Sequence, residues 1–349
     1  MAQTLGVEEF IKKYESDPVL LLDARSEKEF DHAHIPGAVN LPLLNNENRH
    51  LIGIEYKKND REAAVALGFK LVGPVFHEFI EKAKKLTDRK QIMIYCWRGG
   101  MRSGIMSWIL SMAGYKVTLL NGGYKSFRNY ILDQFKTNRN IIIVGGNTGS
   151  GKTDVLKELR LLGMQTIDLE NLANHRGSAF GNLGLPPQPS TEYFENLLGL
   201  QWKNTDSSQI VWIEGESRTI GRVKIPDDVF NQLQAAPMME LKCTKEFRKK
   251  RIIDEYGVFK KEELAECTSK LKKKLGNLRL SEALHALEAG DLDAWLEILI
   301  KYYDDNYTYS MEGRNALERT VVNVEMNESL AQVANRLILQ PLIKVKSIA

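Results

Sequence analysis

The eight residues from Gly146 to Thr153, Gly-Asn-Thr-Gly-Ser-Gly-Lys-Thr, constrain the fold of this 349-residue chain more than any other stretch. They follow the apolar run Ile141–Val144. They precede Val155, Leu156, Leu159 and Leu162, which are spaced for one face of a helix that stops at Gly163. A buried strand, a glycine-rich turn and a helix, in that order, belong to a parallel sheet with helical crossovers. The glycines let backbone N–H groups converge on phosphate oxygens at the positive end of a helix. In such a loop Lys152 reaches the terminal phosphate oxygens and the Thr153 hydroxyl is placed to ligate Mg²⁺. Gly146, Asn147, Gly149, Ser150, Gly151, Lys152 and Thr153 are therefore the expected phosphate-binding set. The pattern specifies a phosphorylated ligand and leaves its identity open. The run Gln209–Glu214 reads as a second buried strand, and Glu214, then Glu216, are the carboxylates expected beside the loop to hold the metal or its water.

The rest of the chain extends this organisation. Strands are expected at Val19–Ala24, Ile92–Cys96 and Val117–Leu120, with helices around Glu8–Tyr14, Val75–Lys85 and Arg102–Ala113. Asp133–Asn140 is polar and reads as a linker, after which Ile141–Val144, Gln165–Asp168, Gln209–Glu214, Met238–Lys242 and Thr320–Val324 are expected strands. After Thr244 the pattern becomes largely helical, with a C-cap at Gly290 and an N-cap at Asp291. The fold class is α/β. A first parallel-sheet domain covers residues 1–132 and a second α/β domain residues 139–349, its basic helical part from about 245 to 349. The Gly- and Pro-rich loop from Asn174 to Pro189 is long for an idle connection, which makes His175, Arg176 and Ser178 candidates for the same pocket. Packing for structural reasons accounts for them equally well.

A second chemical signal lies in the first domain. Cys96 ends an apolar run and opens Cys-Trp-Arg-Gly-Gly-Met-Arg-Ser before a helix. A thiolate there is stabilised by converging N–H groups and the helix dipole. Arg98, Gly99, Gly100 and Arg102 complete an expected anion-binding loop, with Cys96 as the catalytic candidate and a buried core cysteine as the alternative, which the arginine-flanked glycines fit poorly.

Composition narrows the function classes. A 43% hydrophobic and 27% charged chain suits two globular cores. No apolar run of membrane-spanning length is expected, and the N-terminus lacks a signal peptide's apolar core. Cys96, Cys243 and Cys267 make no disulfide framework and no structural metal site, and the last two read as core positions. The six histidines show no metal-ligand spacing. A reducing cytoplasm is the expected location. The net charge of +3 names no partner, but Lys242–Arg279 carries 13 Lys and Arg against six Asp and Glu. Arg248, Lys249, Lys250, Arg251, Lys272, Lys273 and Lys274 are its dense parts, either a solvated helix face or an electrostatic footprint for nucleic acid.

The stretches Asp23-Ala-Arg25, His34-Ile-Pro36-Gly37-Ala-Val-Asn40-Leu-Pro42 and the Cys96 loop resemble the rhodanese superfamily over roughly the first 130 residues. That resemblance implies a cysteine that carries sulfur or selenium, and a structural role for His34. Arg102 lies six positions after Cys96, one more than the common rhodanese spacing and as in related cysteine phosphatases. Tyr95 stands where those phosphatases have histidine. A rhodanese-like domain followed by a phosphate-binding domain also resembles the tRNA 2-selenouridine synthase family. Further carriers of that likeness are Ala173-Asn-His175-Arg176-Gly177-Ser178-Ala-Phe-Gly181, Trp212-Ile-Glu214-Gly-Glu216-Ser217-Arg218 and Tyr302-Tyr303-Asp304.

The second resemblance implies exchange of sulfur for selenium at the wobble 2-thiouridine of Lys, Glu and Gln tRNAs. The exchange runs through an S-geranylated intermediate, with geranyl diphosphate, selenophosphate and Mg²⁺ as substrates and cofactor. A selenophosphate-supplying enzyme is an implied partner and a membrane is not. Arg98 and Arg102 would steer selenophosphate, and the basic segment would hold the tRNA backbone. Trp97 would pack the loop or stack on the wobble base. Two other readings stay open on the residues alone. One is a cysteine phosphatase or sulfurtransferase fused to an ATP-dependent kinase-like domain; the other is a nucleotide-switched tRNA-binding module with an inert cysteine.

Overall fold

Continuous apolar runs without alternation are the mark of strands buried on both faces, and each such run becomes a strand of a parallel sheet. The computed structural model describes residues 2–17, 19–312 and 319–340, so residues 313–318 and 341–349 of the expected C-terminal region lie outside the described residues. The chain divides into two compact units, one of residues 1–134 with 195–199, the other of 135–194 with 200–349.

In the first unit the order is β1 (Gln3–Leu5), α1 (Val7–Ser16), β2 (Leu20–Asp23), α2 (Glu27–His32) and β3 (Val39–Asn40). Then come α3 (Asn46–Lys58), α4 (Arg61–Val72), α5 (Phe76–Leu86), β4 (Gln91–Tyr95), α6 (Met101–Met112), β5 (Lys116–Leu120) and α7 (Gly123–Gln134). The strands align as β1-β5-β4-β2-β3, all parallel, with β4 central. Leu22, Ile92, Ile94, Met106, Leu110 and Val117 form its core. The central position of β4 carries Cys96 to the C-terminal edge of the sheet, where loops gather and ligands bind in open parallel sheets. The expected strands and helices are all present, whereas β1, β3 and the α3–α4 hairpin were not anticipated. Residues 61–86 also correct the expectation of no membrane-length apolar run, since they reach a mean hydropathy of 1.4. In the fold they are two helices separated by a 3₁₀ turn at Gly73–Val75, and Phe79 and Ala83 of α5 lie in the core.

The second unit begins with β6 (Asn140–Gly146), α8 (Lys152–Leu161), β7 (Gln165–Ile167), α9 (Leu169–Ala173), α10 (Thr191–Lys203, its residues 195–199 counted with the first unit) and β8 (Ile210–Glu214). A two-strand ribbon, β9 (Thr219–Ile220) with β10 (Val223–Lys224), leads to α11 (Asp227–Ala235) and β11 (Met238–Cys243). The sheet order β12-β11-β6-β8-β7 is parallel throughout. Four helices follow β11: α12 (Lys245–Tyr256), α13 (Lys261–Ser269), α14 (Lys272–Ala289) and α15 (Leu292–Glu312). They enclose a separate core of Ile252, Leu264, Leu271, Leu287, Trp295 and Leu299, with Cys267 inside it. α14 is broken at Gly276, whose φ of 78° no ordinary helical residue adopts. Gly290 caps its end at φ 77°, and Asp291 accepts the Ala294 N–H. The chain then returns to the sheet as β12 (Arg319–Val324) and finishes with α16 (Leu330–Leu339). The polar stretch expected to be an open linker is folded: Phe135 is buried against Trp202, and Arg139 donates to the Trp202 carbonyl at 3.0 Å.

Candidate functional site

The phosphate loop grows out of β6 between its neighbours β8 and β11. Gly146, Gly149 and Gly151 take φ values of 141°, 81° and 90°, which side chains avoid. A Cβ on Gly149 would also lie 3.0 Å from the Arg248 carbonyl. Lys152 Nζ turns back to the Gly146 carbonyl at 3.0 Å, and the Ser150 hydroxyl is buried with no hydrogen-bond partner among the described residues. A buried hydroxyl left unpaired within such a cradle matches an oxygen-rich anion as its partner.

Register places the acids. β6 pairs with β8 so that Val144 faces Glu214, which brings that fully buried carboxylate beside the loop. Glu170, on α9 after β7, joins it. The Thr153 hydroxyl lies 3.1 Å from Glu170 Oε2 and 3.4 Å from Glu214 Oε2, and the Glu170 N–H donates to Glu214 Oε1 at 2.8 Å. Oxygens of Glu170, Glu214 and Glu216 all lie within 4.8 Å of one another. Burial, reinforced by the Glu216 charge, pushes the Glu170 carboxyl up to about 8. Burial and the Glu170 charge raise Glu214 well above the usual carboxylate range, and burial raises Glu216. Three crowded carboxylates and a hydroxyl form an all-oxygen donor set that fits a hard divalent cation such as Mg²⁺. Sequence reasoning named Glu214 and Glu216 and missed Glu170. An acid in a helix's first turn is ordinary; only its place after a strand end hinted at the site.

A clamp missed by the sequence reading holds the loop from behind. Asp304 on α15 accepts from Asn147 Nδ2 at 2.6 Å and from Arg248 Nη1 and Nη2 at 3.0 and 2.6 Å, while Arg248 Nε donates to the Thr148 carbonyl at 2.8 Å. Cys243, half-buried and packed against the core of the sheet, points its thiol at the Ser150 carbonyl, and burial pushes that thiol up to about 11.

The expected substrate loop does line the cavity in front of these groups, a space of about 1660 Å³. His175, Arg176 and Ser178 nevertheless also hold the loop's own shape. His175 is buried, which lowers its pKa, and its Nδ1 accepts the Gly177 N–H at 3.1 Å. Arg176 donates to the Leu183 carbonyl at 2.8 Å and pairs with Glu255 at 2.6 Å. The Ser178 hydroxyl accepts from the Phe180 N–H at 3.2 Å, and Tyr303 accepts the Ala179 N–H at 3.3 Å.

The basic cluster departs most from expectation. Arg248 is buried in the clamp, so it offers no surface to nucleic acid. Lys249 pairs with Asp293 at 2.8 Å and with Glu297, and Arg251 pairs with Asp154. Those acids lie far away in sequence, which is why the run looked unneutralised. Lys250, Lys272 and Lys273 are exposed and make no ion pair among the described residues. Lys274 borders the cavity, 6.0 Å from the Tyr302 ring.

In the first unit the Cys96 loop runs from β4 into the N-terminus of α6. Cys96 Sγ lies 3.1 Å from Ser103 Oγ. Gly99 and Gly123 have φ of 65° and 61°, and a Cβ on Gly123 would lie 2.2 Å from the Cys96 carbonyl. Beneath the loop, buried Arg25 is held by Asp23 at 2.7 Å and lies 3.9 Å over the Tyr124 ring. Trp97 packs one side on Tyr124, 5.7 Å between rings, and stays partly exposed. Arg98, Gly99 and Gly100 are exposed. Arg102 is not a free steering charge: it donates to Glu29 at 2.6 Å. Burial alone would lift the Glu29 carboxyl, but the Arg102 hydrogen bond and the charges of Arg102 and Arg49 bring it below its usual value. His34 stacks on Phe30 with 3.8 Å between ring centres, and burial lowers its pKa, as suits a structural residue.

Comparison with known proteins matches residues 6–130 to the rhodanese-like domain and residues 139–338 to the tRNA 2-selenouridine synthase AAA domain. A tRNA 2-selenouridine synthase of Sulfurovum sp. (strain NBC37-1) is 36% identical over 335 residues, 85% of this chain and 89% of that protein. Its namesake in Bdellovibrio bacteriovorus is 35% identical over 342 residues, covering 84% of this chain and 89% of that one. In Shewanella oneidensis the figures are 33% over 329 residues, 84% and 86%. Matched in both of its parts and along most of its length, the chain belongs to the tRNA 2-selenouridine synthase family.

Proposed function

We propose that this chain modifies tRNA by converting 2-thiouridine at the wobble position to 2-selenouridine through an S-geranylated intermediate. The observation that carries the reading is the coexistence of two glycine-rich loops that each lead a strand into a helix N-terminus, the Cys96 loop before α6 and the Gly146–Thr153 loop before α8. In the first step the thiocarbonyl sulfur attacks C1 of geranyl diphosphate, the C–O bond breaks, diphosphate leaves and the base loses its N3 proton. The loop glycines, the Ser150 hydroxyl and Lys152 hold the diphosphate, Lys152 swinging from the Gly146 carbonyl to meet the charge that develops. Glu170, Glu214, Glu216 and Thr153 would hold Mg²⁺, which supplies further positive charge against the leaving group.

In the second step the selenium of selenophosphate attacks C2, the C2–S bond breaks and geranylthiol departs with a proton; water then cleaves the P–Se bond, leaving 2-selenouridine and inorganic phosphate. Alkylation makes the departing sulfur a better leaving group than the bare thiocarbonyl. Cys96 is the proposed catalytic residue of this step, set beside selenophosphate whose selenium stays at the selenide level throughout, with Arg98 and the loop amides receiving the anion and Arg102 shaping the loop through Glu29. The tRNA backbone is assigned to Lys250, Lys272, Lys273 and Lys274. Lys152→Ala should abolish geranylation and still selenate tRNA supplied already geranylated, whereas Cys96→Ala should geranylate and stop there. Equal loss of both steps in each variant contradicts this division.

A further inference from the structure

A second cavity, of about 690 Å³, lies within the first unit. It falls in the range of about 300–1,000 Å³ usual for pockets that enclose small molecules. Its walls are the α3–α4 hairpin and the first two turns of α6. α3 fully buries none of its side chains although it carries Leu51, Ile52, Ile54 and Tyr56. Tyr56, Phe69 and Met101 on the cavity wall are 59%, 52% and 55% exposed, and Ile52, Val65 and Ile105 continue the apolar lining. Helices of this kind normally turn such side chains into a core; here Ile52, Ile54 and Tyr56 line an open groove.

The charged border has one sign. Arg49, Lys57, Arg61 and Arg102 line the cavity beside His50, and among the described residues no Asp or Glu does. Glu29 engages Arg49 and Arg102, while Lys57 and Arg61 make no ion pair among the described residues. An apolar floor with a cationic edge selects a ligand that has both a hydrocarbon chain and negative charge. The groove also abuts the cysteine loop: Met101 and Arg102 begin α6 directly after Gly100, and Ser103, the next residue, touches Cys96 Sγ.

We propose that this groove holds the prenyl chain of the S-alkylated wobble nucleotide during selenium exchange, with the basic border taking the neighbouring RNA phosphates. The assignment rests on the two-step reading above and deepens it. A chain that must leave as a thiol from a carbon at the Cys96 loop needs an apolar receptacle beside that loop. Such a receptacle also lets the second step refuse tRNA that has not been alkylated.

The test is equilibrium binding of the full chain to an anticodon stem-loop carrying S-geranyl-2-thiouridine, against the same stem-loop carrying S-methyl-2-thiouridine. Each methylene moved from water to an apolar floor is worth about fourfold in affinity, so a preference for geranyl of at least about 100-fold is expected even if only part of the chain is buried. Phe69→Gln and Tyr56→Gln replace exposed side chains, and each should cut that preference about tenfold or more while leaving geranylation of thiouridine tRNA unchanged. A wild-type preference under about threefold, or one that neither variant alters, overturns the assignment. So does loss of binding to phosphatidylglycerol vesicles in the variants with the stem-loop preference intact, which gives the groove to lipid. Selenation is assayed in parallel. If it proceeds while the variants keep full preference, the groove assignment falls and the reaction stands. If wild type fails to selenate yet its preference is lost in the variants, the groove stands and the reaction falls.

Discussion

Replacing Asp304 with alanine tests whether the clamp behind the phosphate loop positions it for catalysis. The substitution removes the acceptor of Asn147 Nδ2 and of two Arg248 donors. It leaves Arg248, whose side chain is 7% exposed, charged and without its carboxylate. Breaking a fully buried pair in this way costs about 3–5 kcal/mol. The Asp304 side chain is 34% exposed, so water screens part of the pair, and about 2–3 kcal/mol is the appropriate figure. At about 1.4 kcal/mol per decade, a loop that bears this cost loses about 30- to 100-fold in kcat/KM for geranyl diphosphate. The assay is initial-rate geranylation of 2-thiouridine tRNA, with selenation of pre-geranylated tRNA as the companion that should not change. Asp304→Asn, which keeps the shape and one acceptor, should lose about tenfold. Arg248→Met combined with Asp304→Ala should recover part of the loss, because no unpaired charge is then left buried. Geranylation within twofold of wild type in Asp304→Ala would refute the positioning role.

Three further outcomes follow from the same geometry. Glu170→Gln should leave the fold intact and raise the Mg²⁺ concentration for half-maximal geranylation about tenfold, measured by metal titration with circular dichroism as the folding control; an unchanged requirement removes Glu170 from the cation site. Gly123→Ala places a Cβ 2.2 Å from the Cys96 carbonyl and 2.4 Å from the Gly99 nitrogen, so it should abolish selenation and lower the first unit's melting temperature, while geranylation persists. Lys250→Ala and Lys273→Ala should each flatten the salt dependence of tRNA binding by about one unit of log–log slope, whereas Lys249→Ala, already neutralised by Asp293 and Glu297, should not; a uniform effect across the three would contradict the surface assignment.

Much of the fold was legible because buried parallel strands leave an unambiguous trace. Ile141–Val144 and Ile92–Cys96 are unbroken apolar runs, each followed by glycines and a helix, and those turns are also where the chemistry sits. β1 and β3 escaped because strands of three and two residues at a sheet edge carry too little pattern to read. The α3–α4 hairpin escaped because its apolar residues are not confined to one buried face. In the site, the phosphate loop and Glu214 were visible in local order alone. Glu170 became a neighbour of Glu214 only through the pairing of β7 with β8. Arg248 looked like surface charge because its partner Asp304 lies 56 residues on, a distance no local pattern spans. Arg102 reads as a free anion-binding group until α2 brings Glu29 to it.

The central claim is that one chain both alkylates and selenates the wobble base. Its most direct measurement is a time course by nucleoside mass spectrometry of 2-thiouridine tRNA with the protein, Mg²⁺, geranyl diphosphate and selenophosphate. The account requires S-geranyl-2-thiouridine to rise first and then give way to 2-selenouridine. Unchanged 2-thiouridine with folded protein, or 2-selenouridine formed at full rate without geranyl diphosphate, would contradict it.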